Sequence, residues 1–256
     1  MQPKPSIRTV AVVAAALFAV GTPIFQWVTG TLSVGQSELV NDGDRTLEAA
    51  GYAFSIWTFI YGGLLAYAGY QALPSTKETP GLRMLAWPSV IAMAGCATWL
   101  IATSYDAKWA TVAIILVSAA VLCVPLMKRY PVQSSSDFWL VAAPLSLLAG
   151  WLTIASAINA LTVLTGEGFI TPDTAPAWAT SGVLLVIFIG AAISGMSKNW
   201  VYPLPIAWGL VAVAVAEQAD RPMIAVLALA GAAALLAIAG WVATHRSVLL
   251  PVPRQQ

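Results

Sequence analysis

The chain has 256 residues, of which 59% are hydrophobic and 9% are charged, and its mean hydropathy is +0.80. A water-soluble domain cannot bury that much apolar surface, so the composition excludes an ordinary globular fold in water. The formal net charge is only +1 and the chain has no long basic run, which argues against nucleic acid as a partner.

Charge-poor stretches recur along the chain with the length that a helix needs to cross a bilayer, about 20 residues. We count eight of them and predict an all-α, polytopic membrane helical bundle of about eight transmembrane helices. In chain order the predicted spans are Thr9–Gly30, Gly51–Leu73, Met84–Tyr105, Trp109–Met127, Phe138–Leu164, Pro176–Met196, Trp200–Ala216 and Pro222–Thr244.

The first span follows two basic residues, Lys4 and Arg8, as a secretory signal would. Its apolar run is longer than a signal core, and no clear small-residue cleavage site follows it. We therefore expect this span to be retained as a membrane helix.

The charges in the loops divide between the two sides of the predicted bundle. Nine of the 12 basic residues fall on one side, and nine of the 11 acidic residues fall on the other. Because Lys and Arg accumulate in short cytoplasmic loops, both termini are expected in the cytoplasm and the protein in the cell (plasma or inner) membrane, with lipid as a partner. The basic-rich side holds Lys4, Arg8, Lys77, Arg83, Lys128, Arg129, Lys198, Arg246 and Arg254.

No Asp, Glu, Lys or Arg lies near the middle of any predicted span. Ion-coupled transporters and proton relays usually carry such groups at depth, so these classes are disfavoured. His245 is the single histidine, and no metal-ligand set or Ser/His/Asp arrangement accompanies it. We predict that the protein is not an enzyme and holds no metal, and we interpret Glu217 and Asp220 as part of a solvated loop.

Two aromatic segments stand out, GYAFSIWTFIY and PLSLLAGWLTIASAIN. Trp57 and Tyr61 are four residues apart and share a helix face, while Trp151, Ala155 and Asn159 form a second column that ends in a buried amide. Such faces either wall a pocket or fill the bundle core. Seven other tryptophans lie near span ends and are assigned to the interfacial belts: Trp27, Trp87, Trp109, Trp139, Trp178, Trp200 and Trp241.

The longest connection, residues 31–50, is mostly polar and carries Glu38, Asp42, Asp44 and Glu48. It either folds over the outer mouth of a pocket or remains a solvated acidic connector. Small residues spaced by four, such as Gly62 with Ala66 and Gly190 with Ser194, allow helices to approach closely. They serve internal packing or a homodimer, and we favour a dimer.

Trp57, Thr58 and Tyr61 form a W-T-x-x-Y pattern that resembles the second helix of the TspO/MBR family of tryptophan-rich sensory proteins, related to the translocator protein. Trp99 in GCATWLIAT resembles the third-helix tryptophan of that family, although Cys96 replaces the family's asparagine three residues earlier.

The segment WLTIASAIN reproduces the family spacing from Trp151 through Ala155 to Asn159. The resemblance covers roughly residues 9–164, and the whole chain is similar to a longer branch of the family. It implies a TspO-like five-helix membrane core over residues 1–164, followed by three additional transmembrane helices and a short tail over residues 165–256.

The resemblance also implies binding of a planar hydrophobic ligand, porphyrin-like or sterol-like, with a tetrapyrrole as a candidate and no resident cofactor. The alternative is a transporter or facilitator of a small hydrophobic or neutral metabolite, and a membrane enzyme acting on a bound porphyrin ranks last. The candidate ligand-binding residues are Tyr52, Trp57, Tyr61, Trp99, Trp151 and Asn159.

Overall fold

The computed structural model describes residues 6–31, 46–76, 79–128, 132 and 134–245. In these ranges the chain forms eight α-helices of 15 residues or more, one at each predicted span, and no strand, which confirms the all-α membrane bundle. The helices are α1 Ile7–Thr29, α2 Ile56–Ala72, α3 Pro80–Ser104, α4 Lys108–Met127, α5 Ala143–Gly166, α6 Ala175–Ser197, α7 Pro203–Glu217 and α8 Pro222–Thr244. The following predicted loop residues lie outside the described ranges: Lys4, Glu38, Asp42, Asp44, Arg45, Lys77, Glu78, Arg129, Arg246 and Arg254.

Six of the eight helices are long and apolar enough to cross a membrane, with α5 counted together with the short helical turns that lead into it. The other two, α2 and α7, have 17 and 15 residues. Large apolar side chains cover the outside of the bundle: Phe25, Phe59 and Phe188 are 66%, 72% and 70% exposed. Lipid satisfies such a surface and water does not, so the protein is a multi-pass membrane protein.

Helices α1 to α5 close into a ring in the order α1, α2, α5, α4, α3. On its other side α5 packs against α6 and α7, and α8 packs against both of these. The apolar window of α5 is 78% buried, against 39% or less for the other long helices. Helix α5 is therefore shared by the five-helix ring and the three C-terminal helices, and the division at residue 164 stays a prediction.

The start of α5 is adapted to Pro144. The residues before it, Phe138–Ala142, form a π-helical turn. Proline has no backbone N–H to donate, and its ring crowds the preceding turn of an α-helix, so a wider turn relieves both problems. A Cβ atom at Gly63 of α2 would lie 3.1 Å from the Cβ of Pro144, which shows how closely α2 and α5 approach.

Contacts between helix ends agree with the predicted alternation of the spans. Lys108, at the start of α4, pairs with Glu167, just after α5, at 3.4 Å. At the opposite end Tyr70 Oη, near the end of α2, donates to Asp137 Oδ1, just before α5, at 2.8 Å. We call the end that holds Lys108 the outer end and the end that holds Asp137 the inner end; which of them faces the cytoplasm stays a prediction.

Candidate functional site

The inward face of α2 carries two stacked aromatic rings. Trp57 and Tyr61 lie with their ring centroids 5.0 Å apart and their planes inclined by 30°. The four-residue spacing predicts this stack, because residues i and i+4 lie one above the other on a helix. Both side chains are half-buried and pack against the hydrophobic core.

Trp151 of α5 joins this stack from across the α2–α5 contact. Its ring meets Trp57 edge-on at 6.4 Å and Phe54 edge-on at 6.1 Å. Such edge-to-face pairs contribute about 0.5–1.5 kcal/mol each beyond the area that they bury. Phe54, Trp57, Tyr61 and Trp151 are called the aromatic cluster below.

Asn159 lies two turns beyond Trp151 on the same face of α5, about 12 Å along the helix. Its side chain is buried, and its Oδ1 accepts a hydrogen bond from Trp99 Nε1 of α3 at 3.4 Å. Because α3 and α5 are not adjacent in the ring, this bond crosses the ring's interior. The Asn159 Nδ2 group is buried and has no hydrogen-bond partner among the described residues. The amide therefore links two helices through its oxygen and retains an unused donor.

Tyr61 also faces α3, where its side chain lies near Cys96. Cys96 occupies the position at which the resembling family has an asparagine. Cys96 and Cys123 are both buried free thiols. Within the described ranges, no group of three or more His, Cys, Asp or Glu side chains is placed to hold a metal ion.

Tyr52, the remaining candidate residue, lies apart from the others. It is 42% exposed, and its ring meets Trp208 of α7 edge-on at 5.3 Å. The residues around it form a 3-10 helix, Gly51–Ser55, whose tighter turn directs Tyr52 away from the face that continues into α2. Phe54 supplies the aromatic ring at the cluster instead. Neither Phe54 nor Trp208 was among the predicted site residues, although Phe54 lies only three residues before Trp57.

The interpretation of Glu217 as part of a solvated loop is wrong. Its side chain is 2% exposed and forms an ion pair with Arg221, in which the Arg221 Nε and Glu217 Oε2 atoms lie 2.6 Å apart. Its Oε1 atom also accepts the backbone N–H of Glu48 at 2.8 Å. The second partner is 169 residues away in sequence, so no local pattern indicates it. Asp220 is exposed, as predicted.

A separate crevice of about 890 Å³ lies outside the ring, between α1 and α3 near the outer end. Gln26 forms part of its lining, and its Nε2 donates to Leu100 O and Ser104 Oγ at 3.2 and 3.0 Å. This amide ties α1 to α3, which is the common use of neutral polar groups in membrane helices. The crevice is distinct from the aromatic cluster.

Comparison with known proteins gives one match. The sequence profile of the TSPO-like protein family matches residues 6–241, from just before α1 into the last turn of α8. Searches of curated proteins and of solved structures found no match. The family match covers the three C-terminal helices as well as the five-helix ring. With its long apolar helices, the chain is an integral membrane protein that belongs to the TSPO-like protein family.

Proposed function

We propose that the protein binds a planar, largely apolar ligand of the porphyrin or sterol type inside the ring of α1 to α5. The proposed contacts are Trp57, Tyr61, Trp99, Trp151 and Asn159, and Tyr52 lies outside this set because it packs against Trp208. One observation carries the proposal: Trp151 of the aromatic cluster shares a face of α5 with a buried amide, Asn159, whose N–H donors have no partner in the described part of the chain.

The chemistry of these side chains suits such a ligand. Flat aromatic rings bind a planar molecule by stacking and shape, and a few polar groups set its orientation. Leaving a polar group buried without a hydrogen bond costs about 1–3 kcal/mol. A ligand carbonyl, carboxylate or ring nitrogen that accepts from Asn159 Nδ2 would remove that cost.

Protoporphyrin IX is the probe for the first experiment, with the protein in nanodiscs and tryptophan fluorescence as the signal. We expect saturable quenching that is absent with empty nanodiscs. Trp57→Phe and Trp151→Phe should each weaken the affinity by about threefold to tenfold, because each loses ring contact worth about 0.5–1.5 kcal/mol. Trp178→Phe is the matched control, since Trp178 is 45% exposed on the outside of α6.

The double change Trp57→Ala with Trp151→Ala gives the decisive outcome. If this variant stays folded and binds protoporphyrin IX as tightly as the wild type, the proposed pocket is wrong. Uptake of the porphyrin into proteoliposomes above the level of empty vesicles would favour a facilitator that uses the same residues. We expect no such uptake from a binding protein without transport activity.

We propose that both termini face the cytoplasm, because the basic residues gather on that side. A reporter domain that is active only in the cytoplasm should therefore be active when it is fused at either end.

For a homodimer, Gly62 and Ala66 offer an exposed small-residue face on α2, whereas Gly190 packs internally against Leu235 of α8. Crosslinking at Gly62→Cys in the membrane should then yield a dimer, and a purely monomeric product would contradict it.

A further inference from the structure

Residues 46–55 enter the bundle from the outer end without forming an α-helix. Thr46 and Leu47 are 0% and 3% exposed, and Thr46 Oγ1 lies 2.6 Å from Thr165 Oγ1 near the outer end of α5. Eight residues later Phe54 reaches Trp151 in the aromatic cluster. We call residues 46–55 the entry segment, because they lead from the outer end into α2.

Non-helical backbone within a membrane protein needs partners for its peptide groups, because lipid supplies none. Helix α7 supplies them here. The Ala50 N–H donates to the carbonyl oxygen of Ala212 at 3.0 Å, and Trp208 Nε1 donates to the carbonyl oxygen of Ala53 at 3.0 Å. Trp208 lies nine residues before the end of α7, so these bonds follow the segment about 13 Å into the bundle.

An ion pair fixes the outer part of the same segment. The carboxylate of Glu217 accepts from the backbone N–H of Glu48 at 2.8 Å, and Arg221 Nη1 donates to the carbonyl oxygen of Thr46 at 2.6 Å. The two side chains also bind each other through two contacts, at 2.6 and 3.0 Å. Charge-assisted bonds of this kind are stronger than neutral ones.

Neither the charge of Glu217 nor that of Arg221 stabilises the helix at whose end it lies. Glu217 ends α7 and Arg221 immediately precedes α8. A negative charge at a helix C-terminus and a positive charge at an N-terminus both oppose the helix dipole. The bonds that Glu217 and Arg221 form with the entry segment account for this ion pair, which helix stability alone disfavours.

We propose that α7 and α8 hold the entry segment in place as a wall of the ligand pocket, with Trp208, Glu217 and Arg221 as positioning residues. The anchoring stands on the contacts above, and its effect on a ligand rests on the proposed function. The C-terminal helices thus bond to the backbone of this segment at four places, while the ring helix α5 adds a side-chain hydrogen bond through Thr165.

Hydrogen exchange of the full-length protein in nanodiscs tests the anchoring without any ligand. Glu217→Ala removes a charged acceptor, and we expect the amides of residues 46–57 to exchange about tenfold faster or more. Trp208→Phe removes one hydrogen bond and keeps a ring against Tyr52, so a smaller increase of about threefold to tenfold is expected. Asp220→Ala is the matched control, because this exposed carboxylate lies three residues from Glu217 and should leave the exchange unchanged.

The second readout is the rate at which protoporphyrin IX dissociates from the same variants. Faster exchange together with several-fold faster dissociation in Glu217→Ala and Trp208→Phe supports the proposal. Unchanged exchange in both variants overturns it, and Trp208→Phe keeps the test valid if Glu217→Ala does not fold. Faster exchange with unaltered dissociation overturns the role in the pocket wall. If the wild type binds no porphyrin while exchange responds as expected, the anchoring stands and the proposed function fails.

Discussion

At the scale of single residues, helical spacing predicted what lies on a shared face and failed where the backbone is not an α-helix. The stack of Trp57 on Tyr61 and the burial of Asn159 follow from i, i+4 geometry within α2 and α5. The position of Tyr52 beside Trp208 could not be predicted, because Tyr52 lies in a 3-10 turn. The burial of Glu217 could not be predicted either, because its backbone partner, Glu48, is distant in sequence.

The residue that distinguishes ligand binding from simple helix contact is Asn159. Asn159→Leu removes both the acceptor of Trp99 Nε1 and the unused Nδ2 donors. We expect protoporphyrin IX affinity to fall by about fivefold in equilibrium titrations with the folded protein, since a hydrogen bond contributes about 1 kcal/mol. Thermal stability should change little, because hydrogen bonds between membrane helices average about 0.6 kcal/mol.

Ser156→Ala is the control for this change. Ser156 is buried on the same helix, and its hydroxyl group donates to the carbonyl oxygen of Leu152 one turn earlier. An affinity loss of equal size in both variants would show that α5 responds to any polar deletion, and it would remove Asn159 from the proposed contacts.

At the scale of elements, hydropathy and loop charge located all eight helices. The conformations of the segments that lead into α2 and α5, the two helices that carry the aromatic cluster, are visible only in the structure. The span predicted from Gly51 becomes an α-helix only at Ile56, because the residues before it belong to the entry segment. The π-helical turn before Pro144 was likewise beyond sequence periodicity. Both deviations occur where α2 and α5 bring Trp57 and Trp151 together.

The contact between α5 and α7 depends on Gly150. A Cβ atom at this position would overlap the carbonyl oxygen of Tyr202 and lie 2.6 Å from Pro205 Cγ. Gly150→Ala should therefore lower the melting temperature and separate the two helices, because backbone atoms cannot move aside as a flexible side chain can. The measurement is thermal unfolding in detergent, followed by circular dichroism.

Gly240→Ala in α8 is the matched control, since a Cβ atom there meets nothing within 4 Å. Replacing glycine by alanine in a helix interior is favourable by about 1 kcal/mol when space permits. A melting temperature for Gly150→Ala equal to or above that of the wild type would contradict the close α5–α7 packing.

At the scale of the whole molecule, the five-helix ring and the three C-terminal helices share α5. The alternation of loop charges predicted how many times the chain crosses, but not that α5 would be enclosed by both helix groups. That arrangement follows from long-range packing between residues such as Thr153 and Tyr202, whose hydroxyl groups lie 2.7 Å apart. It places the proposed pocket on one side of α5 and the helices that anchor its wall on the other.

Hydroxyl-radical footprinting of the protein in nanodiscs, with and without protoporphyrin IX in the dark, tests the ligand pocket most directly. Bound porphyrin should lower the oxidation of Trp57 and Trp99, which are only half-buried inside the ring in the ligand-free protein. Trp178 and Trp241, on the outside of α6 and α8, should be oxidised equally in both samples. Protection confined to the outer tryptophans, or none at saturating porphyrin, would contradict a binding site inside the ring.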